Sequence, residues 1–275
     1  MVMVKELRMH IKTGFRNAAP NIYRRVRRGY HIVRLFGDIL HRDEDFFDLV
    51  RDLCIKSQGT SDKECPVCGF TGFFTAWGSP PRWNARCPSC GSLERHRHLS
   101  LFLHKTSSII TTGAALLHFA PESFIAALLK RSNINYVSAD LARDDVDLKL
   151  NIENIDIGDD QYDIIVCSHV LEHVDDKRAL SELRRILKPN GKLILMVPVT
   201  EGCDTTYEDD TIKDSSERLI HFGDPDHVRV YGTDLIQRLT DAGFQVRVYT
   251  AFGKEAVKYG LIMGDKVFLC TKGRL

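Results

Sequence analysis

Two Cys-x-x-Cys pairs, Cys65 with Cys68 and Cys87 with Cys90, are separated by eighteen residues. A glycine follows each pair directly, which allows the tight turn that brings two sulfurs to one point. Four thiolates, each about 2.3 Å from the ion, complete the tetrahedral shell of a structural zinc and leave no ligand position open. The spacing therefore predicts a small N-terminal zinc ribbon. Two redox-active dithiols are the alternative, and the paired repeat favours zinc.

A second set of reactive side chains lies in residues 200–232, a polar stretch without a long apolar segment. A long polar loop of this kind commonly covers a substrate. His227 follows an aspartate that can raise its basicity, so His227 is a candidate general base. The candidate substrate contacts in this stretch are Glu208, Arg229 and Tyr231. The alternative is a polar turn in which His227 and Arg229 cap the helix that follows.

Residues 162–198 have the pattern of a strand, a helix and a second strand. Residues 163–167 are apolar on both faces, as a strand covered on both sides must be. Apolar residues then repeat at helical spacing from Leu180 to Leu187, and Pro189-Asn190-Gly191 ends the helix before the apolar run 192–198. This pattern predicts a right-handed crossover between parallel strands.

His169 lies just after the first of these strands and is a second candidate catalytic residue. Parallel strands present their carboxyl ends at one edge of the sheet, where ligands bind in open α/β folds. Glu172 and His173 follow closely, where a helix is expected to start. We therefore favour Glu172 and His173 as capping or packing groups, with a role as catalytic base as the less favoured alternative.

Strand and helix patterns alternate over residues 99–275, which predicts a doubly wound, Rossmann-like α/β sheet with helices on both faces. The chain then divides into a basic helical segment (1–60), the zinc ribbon (61–98) and the sheet domain (99–275). The last two strands are expected to form a terminal hairpin. The predicted helices are 122–131, 177–188 and 233–242, and the seven predicted strands are 114–119, 136–140, 146–150, 162–167, 192–198, 244–249 and 266–271.

The chain has 275 residues, of which 43% are hydrophobic, and a net charge of +1. No apolar run approaches the roughly 20 residues that span a bilayer, and the start lacks a signal-peptide core, so we expect a cytoplasmic protein without a transmembrane segment. Residues 1–34 carry nine lysines and arginines against one glutamate. This segment either contacts nucleic acid, anionic lipid or an acidic partner, or is a solvated helical face.

Residues 162–174 and 187–198 resemble the fourth and fifth motifs of class I S-adenosylmethionine-dependent methyltransferases of the methyltransferase type 11-like group. The resemblance covers residues 112–275. Residues 83–97 are similar to the front end of bacterial methyltransferases that carry a zinc ribbon before the catalytic domain. The resemblance implies a seven-stranded sheet whose seventh strand is antiparallel, with S-adenosylmethionine as cofactor beside the structural zinc.

The resemblance also implies cofactor contacts at the carboxyl edge of the sheet. The first loop usually contains three glycines, but residues 116–122 contain none, and Ala120 stands where the first would be. Asp140 is expected to accept the ribose hydroxyls, or else to end its strand in a turn, and Glu122 to meet the ammonium group or the start of a helix. The full set of implied cofactor contacts is His118, Ala120, Glu122, Asp140, Asn151 and His169.

We therefore predict an S-adenosylmethionine-dependent methyltransferase, with O-methylation of a small or saccharide-type acceptor as the leading function. The saccharide suggestion rests on resemblance to companions of surface-polysaccharide enzymes. A less favoured alternative is an RNA or protein methyltransferase that grips its substrate with the ribbon and the basic N-terminal segment. A third is a non-catalytic, methyltransferase-like binding protein, for which the glycine-free loop is the only support.

Overall fold

The computed structural model describes residues 62–78, 81–131 and 133–273. The basic helical segment predicted for residues 1–60 lies outside them. Of the described residues, 62–75 and 83–273 belong to one compact unit, and 76–78 and 81–82 belong to another. No helix in this part of the chain is long and apolar enough to cross a membrane.

The cysteine-bearing segment contains four short strands: β1 (Lys63–Glu64), β2 (Thr71–Gly72), β3 (Thr75–Trp77) and β4 (Arg82–Arg86). β1 pairs with β2 in antiparallel fashion. Gly69 and Gly91, which follow the two cysteine pairs, have φ angles of 77° and 79°, a left-handed conformation that glycine adopts without a steric penalty. Helix α1 (Glu94–Lys105) comes next, so the predicted boundary between residues 98 and 99 falls inside a helix.

The rest of the chain alternates strands and helices. A short 3-10 turn, Leu171–His173, follows β8 and precedes α3. The elements are β5 (Ala115–Phe119), α2 (Ser123–Lys130), β6 (Asn135–Asp140), β7 (Leu148–Lys149), β8 (Tyr162–Ser168), α3 (Asp176–Ile186), β9 (Leu187–Met196), β10 (Tyr207–Glu208), α4 (Ser215–Phe222), β11 (Arg229–Val230), α5 (Leu235–Asp241), β12 (Phe244–Thr250), α6 (Gly253–Tyr259) and β13 (Lys266–Lys272).

Seven of these strands form one sheet in the order β12-β13-β9-β8-β5-β6-β7. The strands from β9 to β7 are parallel, whereas β13 is antiparallel to both β9 and β12. The predicted fold class is thus confirmed, together with the terminal hairpin and the antiparallel seventh strand. After β5 the chain adds β6 and β7 on one side of β5 and then crosses to the other side as β8. A crevice for a ligand is therefore expected at the carboxyl ends of β5 and β8.

Both faces of the sheet are buried, which explains why its central strands read as apolar without interruption. Leu116 of β5 and Ile164 of β8 pack in one core cluster, together with Leu99 of α1. Their chain neighbours Leu117 and Ile165 point to the opposite face and pack in a second cluster. This alternation follows from the two-residue period of a strand. Helix α3 covers the second face.

The start of β9 differs from the prediction. The sequence pattern predicts a helix to residue 188 and a strand from 192, but α3 ends at Ile186 and β9 begins at Leu187. A proline disfavours helical geometry at the residue before it, so Pro189 prevents Lys188 from continuing the helix. The Pro-Asn-Gly segment forms an irregularity between the pairs Tyr162–Leu187 and Ile164–Lys192.

Candidate functional site

The four cysteines converge in the ribbon. The Sγ atoms of Cys65 and Cys90 are 3.7 Å apart, and those of Cys68 and Cys87 are 3.8 Å apart. A tetrahedral ion with bonds of about 2.3 Å places its ligand atoms about 3.8 Å from one another. All four sulfurs lie within 4.8 Å of each other. The predicted metal ligands are therefore brought together at the spacing that zinc requires.

The surroundings of the sulfurs also fit a cation. Burial raises the pKa of Cys87 to about 12 and also raises the pKa of Cys65, so thiolates here need a positive charge beside them. Burial opposes ionisation of Cys90 as well, but hydrogen bonding with Ser92 outweighs it and lowers the pKa of Cys90 to about 7. The Ser92 hydroxyl lies 3.3 Å from Cys65 Sγ and 3.2 Å from Cys90 Sγ. Ser92, which sequence reasoning did not single out, thus supports two of the four ligands.

Arg97 links this cluster to the sheet domain. Its guanidinium is fully buried and donates to main-chain carbonyls on both sides, those of Ala85 (3.0 Å) and Ser92 (2.6 Å) in the ribbon and that of Tyr259 (2.8 Å) at the end of α6. Burial lowers the pKa of Arg97, and the negative charges of Glu94 and of the cysteines oppose that shift. A buried cation is costly unless it is compensated, so an ionised cysteine cluster stabilises Arg97.

The loop after β5 contains the first predicted cofactor contacts. Ala120 has a φ angle of 46°, so this residue adopts the left-handed conformation that a glycine usually supplies. His118 is fully buried in β5, with Nδ1 3.0 Å from the hydroxyl of Tyr136, and its Nε2 has no hydrogen-bond partner in the part of the chain that the structure describes. Burial lowers the pKa of His118 to about 4, which keeps the imidazole neutral. The loop therefore preserves the expected backbone shape without the expected residues.

Glu122 ends this loop at the first turn of α2. Its Oε1 lies 3.1 Å from Arg95 Nε and 3.2 Å from His96 Nε2, both on α1. Burial would raise the pKa of Glu122, but the interactions with His96 and Arg95 lower it, so the carboxylate is ionised. The second oxygen, Oε2, is buried and has no hydrogen-bond partner among the described residues. An acceptor is thus left beside the loop, and it fits the ammonium group of S-adenosylmethionine.

Asp140 and Asn151 lie further along the same edge of the sheet. Asp140 Oδ1 accepts hydrogen bonds from the backbone N–H groups of Ala142 (2.8 Å) and Arg143 (3.0 Å). Asn151 Oδ1 accepts from the N–H of Glu153 at 2.9 Å. Both side chains therefore shape turns through one oxygen. The second carboxylate oxygen of Asp140 and the second lone pair of the Asn151 carbonyl can each accept a further hydrogen bond, so contact with ribose and adenine stays a prediction.

The end of β8 carries a cluster that sequence reasoning only partly identified. His169 has a φ angle of 55°, and its Nδ1 lies 3.2 Å from Glu172 Oε1, although the two groups are not aligned for a hydrogen bond. The rings of His173 and His227 have centroids 4.6 Å apart. Instead of capping a helix, Glu172 is buried between these histidines, at 1% exposure. The His-x-x-Glu-His spacing was the signal that could have identified the cluster.

The two predicted catalytic residues, His169 and His227, are thus brought to one place around Glu172. Burial lowers the pKa of His227, so its imidazole is neutral and able to accept a proton. The backbone N–H of Val228 donates to the carbonyl of Glu172 at 2.9 Å, which fixes the polar stretch over the turn.

The three predicted substrate contacts lie behind this turn. The Arg229 guanidinium donates to the carbonyl of Leu171 at 2.8 Å, to that of Val174, and to Glu208 Oε2 at 2.9 Å. The hydroxyl of Tyr231 is fully buried and also donates to the Leu171 carbonyl, at 3.2 Å. In this arrangement, Glu208, Arg229 and Tyr231 hold the Leu171–His173 turn in place. Their contact with a substrate stays a prediction.

Asp176 extends the same network from the start of α3. Its Oδ2 accepts from the Tyr231 hydroxyl and from Arg238 Nη1, at 3.0 Å in each case. A groove of about 1120 Å³ passes between α3 and α5 and includes Asp176 and Arg238 in its lining. None of the predicted site residues belongs to the described lining, so the size of this groove does not make it the methyl-transfer site.

A family model described as a methyltransferase domain matches residues 93–248, more than half of the 275 residues. The chain therefore belongs to this family of methyltransferase domains, and its seven-stranded sheet is the one expected of class I S-adenosylmethionine-dependent methyltransferases.

Two curated relatives match shorter segments. An uncharacterized protein of Methanocaldococcus jannaschii is 49% identical over 47 residues, which cover 17% of this chain and 21% of that protein. The ubiquinone/menaquinone biosynthesis C-methyltransferase of Vibrio parahaemolyticus is 34% identical over 80 residues, which cover 28% of this chain and 27% of that protein. The chain therefore spans about a fifth and about a quarter of the lengths of these relatives.

Solved structures show more distant likenesses. The YcgJ protein of Bacillus subtilis is 16% identical with a TM-score of 0.46, over 65% of this chain and 100% of that chain. The 1,6-didemethyltoxoflavin-N1-methyltransferase of Burkholderia thailandensis, solved with S-adenosylhomocysteine, is 14% identical with a TM-score of 0.47, over 65% and 78% of the two chains. Similarity at this level supports no conclusion about the acceptor.

Proposed function

We propose that this chain methylates a hydroxyl group of a small or saccharide-type acceptor. The observation that supports an oxygen acceptor is the grouping of His169 and His227 around the buried Glu172 at the end of β8. A neutral hydroxyl is a poor nucleophile until its proton is removed, whereas an unprotonated amine attacks without that help. A site in which the neutral imidazole of His227 lies beside a carboxylate is suited to removing this proton.

When bound, S-adenosylmethionine supplies an electrophilic methyl group on a positively charged sulfur. The residues of this chain hold and orient it. In our proposal, Glu122 accepts hydrogen bonds from the ammonium, Asp140 from the ribose and Asn151 from the adenine amino group. His118 and Ala120 shape the loop between them. His227 accepts the proton of the acceptor hydroxyl as the new bond to oxygen forms.

We also propose that Cys65, Cys68, Cys87 and Cys90 hold a structural zinc. The separations of 3.7 and 3.8 Å between their sulfurs support a tetrahedral ion. Since all four ligands are cysteines, this ion has no open position for chemistry.

The two alternative functions differ in their support. An RNA or protein acceptor rests mainly on the basic residues 1–34, which lie outside the described part of the chain. The non-catalytic interpretation rests on the missing glycines. The positive φ angle of Ala120 weakens it, because the loop adopts the glycine-like conformation with another residue.

The cofactor site is tested by calorimetric titration with S-adenosylhomocysteine. Asp140→Asn keeps an oxygen for the turn but removes the charge, and Asp140→Ala removes both. A carboxylate that accepts two ribose hydroxyls contributes about 1.5–3 kcal/mol for each hydrogen bond, so Asp140→Ala should weaken affinity at least about 100-fold. The affinity of Asp140→Asn for S-adenosylhomocysteine should lie between those of the wild type and Asp140→Ala. The control Asp144→Ala, an exposed position on the same loop, should bind as the wild type does. Unchanged affinity in Asp140→Ala would exclude the ribose assignment.

The acceptor is tested by mass spectrometry of reactions with hydroxyl-bearing small molecules and sugars, with RNA and protein as comparison. His227→Ala should lower the transfer rate by about 100-fold or more. Its S-adenosylhomocysteine affinity should stay within about twofold of the wild type, because His227 is not placed in the cofactor set. His221→Ala, in the same polar stretch, is the matched control. Full transfer by His227→Ala would show that this histidine does not assist the reaction.

A further inference from the structure

The cluster at the end of β8 has the composition of a metal site. One ligand atom each from Glu172, His173 and His227 lie within 4.8 Å of one another. His169 adds a third imidazole and a fourth candidate ligand, with Nδ1 3.2 Å from Glu172 Oε1. These residues are distant in sequence from the ribbon cysteines and share no ligand with them.

The carboxylate of Glu172 is the observation that requires an explanation. It is 1% exposed, and neither of its oxygens has a hydrogen-bond partner among the described residues. A buried carboxylate without hydrogen bonds is strongly unfavourable, so such groups are normally paired, hydrogen-bonded or bound to a metal. Nε2 of His169 is also buried and has no hydrogen-bond partner within residues 62–78, 81–131 and 133–273. Two groups that can ligate a cation are therefore left unsatisfied at one place.

The surroundings orient these side chains as metal ligands are usually oriented. Nδ1 of His173 lies 3.2 Å from the carbonyl oxygen of Asp226. A carbonyl can only accept, so Nδ1 carries the proton and Nε2 is free to bind an ion. Arg229 and Tyr231 fix the carbonyls of the turn from behind. His169 is held at a φ angle of 55°, a strained conformation that concentrates at functional sites.

We infer that His169, Glu172, His173 and His227 bind one divalent transition-metal ion at the acceptor side of the cleft. Imidazole nitrogens with one carboxylate suit zinc, manganese, iron and cobalt. The ligand atoms of Glu172, His173 and His227 are up to 4.8 Å apart, so tetrahedral bonds of about 2.0–2.2 Å would require these three to approach one another by about 1 Å. Side-chain rotation of His173 and His227, which are only partly buried, can supply a movement of this size.

The chemical consequence rests on the proposed function. An ion with an open position would bind the acceptor hydroxyl and lower its pKa, so that its proton passes to solvent. The acceptor oxygen then forms its bond to the methyl carbon as the carbon–sulfur bond breaks and its electron pair returns to sulfur. With the ion bound, His227 would act as a ligand, and its proposed role as proton acceptor would then apply only to the metal-free site.

The test is titration of the full chain, with zinc already in the ribbon, by Mn²⁺ under electron paramagnetic resonance. Manganese binds weakly to thiolates, so it reports on the oxygen and nitrogen site. The wild type should bind about one Mn²⁺ per chain, measured as the loss of the six-line signal of free Mn²⁺. Glu172→Gln, which keeps the side-chain shape, and His227→Ala should each weaken Mn²⁺ binding at least tenfold. His104→Ala, an exposed histidine at the end of α1, should bind Mn²⁺ as the wild type does.

A second measurement counts zinc after equilibration with excess Zn²⁺ and gel filtration. The wild type should retain two ions per chain and His227→Ala one. The metal proposal is overturned if the wild type neither binds Mn²⁺ more tightly than Glu172→Gln nor retains the second zinc. Intact S-adenosylhomocysteine binding in that case would leave the cofactor assignment standing. Metal binding without cofactor binding would refute the proposed function while the ion site remained.

Discussion

Replacing Arg97 with methionine should destabilise the sheet domain as well as the ribbon. The guanidinium is fully buried and donates to carbonyls of Ala85, Ser92 and Tyr259, which belong to segments far apart in sequence. Methionine has similar length and no donors, so the change leaves several buried carbonyls without a partner. Each such group costs about 1–3 kcal/mol. We expect a loss of about 3–5 kcal/mol in the free energy of unfolding.

The same argument predicts coupling between Arg97 and zinc. With zinc bound, four thiolates give the cluster a net negative charge, whereas without metal burial keeps Cys87 protonated because its pKa is about 12. Removing zinc therefore removes the charge that compensates Arg97. This coupling can be measured by a thermodynamic cycle in which the wild type and Arg97→Met are each unfolded with and without a chelator. The substitution should lower the free energy of unfolding by at least about 1 kcal/mol less in the zinc-free protein than in the zinc-bound protein.

Thermal unfolding followed by circular dichroism measures this cycle, and hydrogen exchange locates the change. Exchange should accelerate at the end of α6, where Tyr259 loses its hydrogen bond. Lys105→Met, on the same helix, is the control, because its ion pair with Glu255 is exposed and contributes about 1 kcal/mol or less. A loss below about 1 kcal/mol for Arg97→Met, or additive effects of substitution and chelation, would refute the reasoning.

Two further predictions concern the loop after β5. The pKa of His118 falls from 6.5 to about 4 on folding, so the unfolded chain takes up a proton first as pH drops, and stability decreases below about pH 6.5. Between pH 7.5 and 5.5 the wild type should lose about 1.4 kcal/mol more than His118→Gln, as measured by unfolding at each pH, and equal losses would contradict the burial argument. Ala120→Gly should leave stability unchanged or raise it by up to about 1.5 kcal/mol. Left-handed geometry costs a non-glycine residue about 1–2 kcal/mol, whereas glycine loses about 0.5–1 kcal/mol in entropy. A melting temperature well below that of the wild type would show that Ala120 is not strained.

Much of the fold could be predicted because its signals are local. The central strands are apolar on both faces, and α3 repeats its apolar residues at helical spacing. The cysteine spacing predicted the convergence of four sulfurs for the same reason. The exact start of β9 was missed because the effect of Pro189 on the residue before it competes with a helical repeat that continues through Leu187.

The supporting residues of the site could not be predicted, because their partners are remote in sequence. Arg97 donates to a carbonyl 162 residues away, and Arg229 to one 58 residues away. Glu172 has the sequence context of a helix start. It becomes a buried carboxylate between histidines only because residues 226–231 fold over the Leu171–His173 turn. A polar residue acquires this kind of role from tertiary burial, which leaves no periodic pattern.

The backbone at the two central strand ends argues for a working cofactor cleft. Ala120 follows β5 and His169 follows β8, the two strands are neighbours in the sheet, and both residues have φ angles near 50°. Such geometry costs about 1–2 kcal/mol at each non-glycine residue and persists only where the surrounding structure enforces it. A scaffold protein without a ligand would have no need to keep this strain at the switch point of the sheet. The glycine-free loop is therefore better explained as a preserved shape in which side chains, the imidazole of His169 among them, occupy the edge of the cleft.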